Sequence, residues 1–200
     1  MKGSLVIIAF FLLGILCSVF RLVPATLTEN DVSWYALALL MFLVGMTIGS
    51  DSGILKKFRS LPPRLMLLPL LTVAGTLAGS AAASAVLPSR PLAHCLAVGS
   101  GMGYYSLSSI FITESVGAEL GTVALMSNIL REIATLLLAP LLLRLFGPLA
   151  PITSGGATTM DTTLPVITRT SGERFAILSI FHGFVTDFSV PFLVSFFCSV

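Results

Sequence analysis

The stretch GATTMDTTLPV, residues 156–166, sets one carboxylate, Asp161, among four threonines and ahead of a proline. Threonine hydroxyls can replace backbone hydrogen bonds that are lost where a helix unwinds. Pro165 suits the first turn of a returning helix, where its missing N–H has no partner to lose. A carboxylate held in such a bend can accept an amine, a metal cation or a proton, with Thr159 and Thr162 as neighbouring oxygen donors. A loop-capping aspartate near the membrane interface is the plainer alternative. Asn128, Arg131 and Glu132 stand at i, i+3 and i+4 and so share one face of a helix. Arg131 and Glu132 nevertheless diverge by about 100°, so each needs its own partner. A structural Arg–Glu pair that fixes helix packing is the competing reading.

Glu114 (in FITESVG), His182 and Asp187 complete the candidate set. Glu114 is expected near the outer face. His182 fits either a buried structural role or a proton path, and Asp187 is expected to reach the outer interface. Tyr104, Tyr105, Ser106, Ser108 and Ser109 could line a polar cavity or simply pack. Enzymatic readings fare worse. VGSGMG has the glycines of a phosphate loop but neither the preceding strand nor the lysine. There is no G-x-S-x-G and no H-E-x-x-H, and a Ser100–His182 protease would rest on residue types alone. Cys17, Cys95 and Cys198 lack metal-ligand spacing and read as small packing residues.

The elements that must position these groups are apolar. Of the 200 residues 56% are hydrophobic and 10% charged, against about a quarter charged in a typical soluble domain. The mean hydropathy is +1.01. Residues 4–20, 32–50 and 65–87 carry no charge at all, and a bilayer core is crossed by roughly 20 such residues in a helix. The expected class is an all-α polytopic membrane protein. The first apolar run follows Lys2 as a signal peptide would, but no small-x-small cleavage site follows it, so a retained helix is expected. The net charge of +2 points to no nucleic-acid partner.

Spanning helices are expected over about 4–23, 32–50, 64–87, 119–146 and 173–198. The link PATLTEND is acidic, whereas 51–64 holds Lys56, Lys57, Arg59 and Arg64, which assigns the latter to the cytoplasm. Two further apolar stretches, 91–113 and 149–169, are interrupted by GSGMGYYSLSS and TSGGATTMDTT. Arg144, Arg169 and Arg174 flank the second and all prefer the cytoplasm, which a re-entrant hairpin satisfies and a full crossing does not. The first would then enter from outside. Two fully crossing, broken helices are the alternative, with the same site. The expected plan is an N-terminal pair (1–63), a helix plus outer hairpin (64–118), and an inverted repeat of it with a final helix (119–200). Secondary transporters use such repeats and bind substrate where broken helices meet.

Four strings in this order, VGSGMGYYSLSSIFITESVG, NILREIATLL, GATTMDTTLPV and HGF, resemble the bacterial lysine exporter family over residues about 95–192, and LMFLVGMTIGSD resembles it less sharply. The resemblance implies an inner-membrane exporter of L-lysine and analogues such as thialysine, driven by proton antiport and without a bound cofactor. It makes Asp161 the leading candidate for an acidic residue essential to transport. Glu114, Asn128, Arg131 and Glu132 also fall on its motifs, whereas Asp187 matches none of them. Familiar members are longer by an N-terminal block of helices, which implies a small partner subunit or a homo-oligomer. Two other functions fit the same residues: a sodium- or proton-coupled carrier of an organic anion, and a non-transporting membrane subunit whose polar residues bind helices together.

Overall fold

The computed structural model describes residues 61–87 and 90–200, together with Leu13, Leu16, Cys17, Phe20, Tyr35, Leu39, Phe42, Met46, Lys56, Phe58 and Arg59. Most of the helices expected over 4–23 and 32–50, and most of the basic link, lie outside the described residues. The chain divides into two compact units, Met1–Asp51 and Ser52–Val200. The second carries all the elements named below.

Every described element is helical. Helix α1 (Pro63–Met66) leads straight into α2 (Leu68–Val86). The first interrupted stretch forms α3 (Leu92–Gly99) and α4 (Tyr105–Ser115). The long α5 (Ala118–Phe146) follows. The second interrupted stretch forms α6 (Ala150–Gly155), a 3-10 turn (Gly156–Met160) and α7 (Leu164–Ser171). A second 3-10 turn (Glu173–Phe175) opens α8 (Ala176–Ser199). Among the described residues two helices, Pro63–Val86 and Glu173–Ser199, are long and apolar enough to cross a membrane. Pro165 lies in the first turn of α7, where proline costs a helix nothing.

In each broken segment the two ends lie close together. Arg90, just before α3, pairs with Glu119 at the start of α5, so the two ends of the first segment lie together. A straight helix over the same stretch would part them by roughly 40 Å at 1.5 Å per residue. The end of α4 also meets the end of α8, where Ser115 lies near Cys198. The second segment closes at the opposite end of α2. There Leu68, Ile152, Ile167 and Leu178 form one buried apolar cluster, with Leu61, Leu65, Leu149, Phe175 and Phe181 around it. That cluster gathers the starts of α2, α6 and α8 with the body of α7. Burying each such side chain contributes about 1.5–3 kcal/mol where water is the alternative; within a bilayer, close packing is what remains.

Candidate functional site

The two breaks meet tip to tip. The Ala157 N–H donates to the Met102 carbonyl across 2.9 Å. Met102 is fully buried and has a positive φ of 45°, followed by Gly103 at 98°. Gly156 has φ 63°, and a Cβ there would run into the Met102 carbonyl oxygen and lie 3.3 Å from Arg131 Cζ. Glycine is therefore required by the close approach of one backbone to the other, as well as by its left-handed conformation.

One face of α5 holds both breaks. Asn128 is buried, and its Oδ1 accepts the Gly103 N–H at 2.7 Å while Nδ2 donates to the Ala124 carbonyl at 2.8 Å and to Ser108 Oγ at 3.4 Å. One turn on, Arg131 Nε donates to the Ser154 carbonyl at 2.8 Å and Nη2 to that of Thr153 at 3.1 Å, with Nη1 3.3 Å from Thr76 Oγ1. These carbonyls lie in the last turn of α6, where the helix offers them no partner and a cation is favoured. Arg131 is thus bound to main chain, and gripping a cargo carboxylate would require it to leave those bonds. Asn128→Ala strands the Gly103 N–H in a dry position. The expected loss is about 1–3 kcal/mol, read as a lower thermal midpoint of the detergent-purified protein; an unchanged midpoint would show that Asn128 does not hold the first break.

His182 is fully buried. Its Nε2 lies 2.8 Å from Thr72 Oγ1 and its Nδ1 3.2 Å from Thr159 Oγ1. The Thr159 hydroxyl also reaches the Ser179 carbonyl at 2.9 Å. The ring thereby joins α2, α8 and the 3-10 turn, and Thr72, which the sequence did not single out, is its partner. Beside it Gly183 lets α8 approach so closely that a Cβ would stand 2.6 Å from the Met160 nitrogen.

Asp161 ends the 3-10 turn and is exposed, not interior as expected. The chain leaves the turn at φ −136°, ψ −89° and swings the carboxylate outward, where Oδ1 accepts the Thr162 N–H. Thr162, Tyr105 and Ser106 are exposed as well. Thr159, by contrast, is buried in the bonds just described. Glu132 is half-buried and has no hydrogen bond or ion pair among the described residues. Glu114 stands apart. It is exposed and lines a cleft of about 240 Å³ with Ser109, Thr113 and Gly121, some three turns along α4 from Tyr105 and so roughly 14 Å away.

Asp187 departs from expectation. Instead of reaching an outer interface it is only 6% exposed. It lies one turn beyond Gly183 on the same face of α8, within electrostatic range of Asp161, and Tyr104 is within range of both. The signal was present in the sequence: Ser179, Gly183, Asp187, Val190 and Val194 recur at helical spacing, and the face they mark points inward. No group of three or more metal-ligating side chains occurs among the described residues.

Comparison with known proteins agrees with this arrangement of motifs. The sequence model of the family described as "Lysine exporter LysO" matches residues 8–198. The protein named "Lysine exporter LysO" from Escherichia coli (strain K12) is 38% identical over 168 residues, which is 84% of this chain and 55% of that protein. A second relative, from Haemophilus influenzae (strain ATCC 51907 / DSM 11121 / KW20 / Rd) and described as a candidate lysine exporter, is 34% identical over 170 residues, 85% of this chain and 86% of its own length. The chain therefore spans about half the length of the first and most of the second. No solved structure matches it. With the polar strings that form the two breaks falling inside the matched residues, the chain belongs to the lysine exporter LysO family.

Proposed function

We propose that this chain forms the transporting core of an inner-membrane exporter for L-lysine and lysine analogues such as thialysine, working by proton antiport. The observation that carries this reading is the meeting of two unwound, glycine-rich tips with uncommitted carboxylates beside them. Non-helical backbone survives at membrane depth only where protein buries it or a wet cavity adjoins it. Asp161 and Glu132 have no cation partner among the described residues, while Arg131 is held by carbonyls. That balance suits a cargo with two ammonium groups better than an organic anion.

In this reading five helices span the membrane and the two broken segments are re-entrant hairpins from opposite faces, so that 64–118 and 119–200 form an inverted repeat. Asp161 takes a cargo ammonium, with Thr162, Tyr105 and Ser106 around it. Glu132 supplies a second carboxylate from α5. Asn128, Arg131, Thr159 and His182 hold the tips in register, and Glu114 serves at the outer approach. Because a carboxylate facing lipid at mid-membrane costs about 2.5–3.5 kcal/mol or more, the face that bears Asp161 adjoins water or further helices, supplied by a small partner subunit or a second copy.

The test is thialysine resistance in a bacterial strain without its own lysine exporter. The chain is supplied alone and then with any small membrane protein encoded beside it. Rescue by either arrangement supports the proposal, and rescue by the pair alone identifies the partner. Sensitivity in both, with the chain at normal membrane levels and sodium-dependent uptake of an organic acid instead, would replace it with the anion-carrier reading.

A further inference from the structure

The buried carboxylate of Asp187 has no part in the resemblance to lysine exporters and no bonding partner among the described residues. It is 94% shielded by the complement of its 6% exposure. An ionised carboxylate so placed, without a cation or donors, is strongly disfavoured. It must hold either a proton or a positive guest.

The surroundings narrow the choice. Within electrostatic range of Asp187 are the Asp161 carboxylate from the 3-10 turn and the Tyr104 phenol from the first break. On its own helix His182 has both ring nitrogens against threonine hydroxyls. On α5 the Arg131 guanidinium is taken by the α6 carbonyls. Helix α2 carries no charged side chain. Arg64, Arg169, Glu173 and Arg174 belong to elements at the start of α8, and Glu114 to the far end of α4, each some three turns away or roughly 15 Å or more; on α3 the titratable groups are His94 and Cys95, in its first turn. Next to Asp187, the Thr186 hydroxyl is also buried without a partner. Among the described residues no fixed cation therefore answers Asp187, and the charge within electrostatic range is another carboxylate.

Resting on the reading of the chain as a proton-coupled lysine exporter, we propose that Asp187 is the proton-carrying carboxylate of the site and Asp161 the cargo-binding one. The buried position at the contact of α8 with the two tips takes a proton, which needs no cavity. The exposed position beside it takes an ammonium group, which does. When cargo binds at Asp161, its positive charge favours ionisation of Asp187 and the proton leaves. When cargo departs, two carboxylates in range of one another favour reprotonation of the drier one. Opposite movement of lysine and proton follows from this competition.

The experiment compares wild type, Asp187→Asn and Asp187→Glu in everted vesicles holding the full chain with whatever partner its activity requires. Two quantities are read: proton movement driven by added lysine, and exchange of labelled for unlabelled lysine without a proton gradient. For Asp187→Asn, lysine-driven proton movement is expected to fall by at least about tenfold and net export to lose its pH dependence, while lysine–lysine exchange falls by no more than about threefold. Asp187→Glu, which keeps a titrating group, is expected to retain coupling; this guards against a mere folding defect. Normal proton movement in Asp187→Asn overturns the assignment and leaves the exporter reading standing. Exchange lost in Asp187→Asn but kept in Asp187→Glu also overturns it, because cargo would then need that charge directly. A wild type that exchanges no lysine at all defeats the exporter reading itself.

Discussion

Asp161→Asn is expected to abolish lysine export, lowering exchange of labelled lysine in vesicles by about a hundredfold or more, an effect of the size seen when a transferring group is removed. The substitution is nearly isosteric, and among the described residues Asp161 bonds only its neighbour Thr162. Its side chain is exposed and supports no other element, so the amount of protein in the membrane should not change. Activity and assembly therefore separate cleanly at this position. The amide keeps the acceptor oxygen for the Thr162 N–H but has no charge for an ammonium group. Growth on thialysine gives a second readout, since cells relying on this variant should be as sensitive as cells with no exporter. Exchange at the wild-type rate would remove Asp161 from the transport site and leave it as the cap of a turn.

The second large effect concerns assembly. Arg131→Met should lower stability by about 3–5 kcal/mol, because two hydrogen bonds from a charged donor, each contributing about 1.5–3 kcal/mol, disappear together. The Thr153 and Ser154 carbonyls that accept them would lose their donor. Arg131→Lys should fall between, since an ammonium group keeps the charge but cannot span two carbonyls as the guanidinium fork does. The check is the thermal midpoint of detergent-purified protein, alongside labelled-lysine exchange. If Arg131 instead gripped the cargo carboxylate, Arg131→Met would lose export and keep its midpoint. Asn128→Ala combined with Arg131→Met should cost less than the sum of the two, because the breaks they hold touch each other through Ala157 and Met102 and share one collapse.

Composition and spacing alone settled the membrane class, the helical content and the positions of both interruptions. The reason is local: uncharged runs of membrane length form helices, and GSGMG and TSGGATT offer glycine and hydroxyl groups where a helix unwinds. The family could be read from its four strings for the same reason, since they code for local bends and caps. Partnership was a different matter. That Asn128 and Arg131, on one face of one helix, serve different breaks depends on those breaks being brought together from opposite ends of α2. The partners of Arg131 were not legible, because nothing in the sequence says which carbonyls lack partners. Asp161 was expected inside and lies exposed, whereas Asp187 was expected at an interface and is buried. Both reversals have one cause. The rotation of a helix and the exit angle of a turn are decided by which neighbours pack against them, and here the neighbours come from segments distant along the chain.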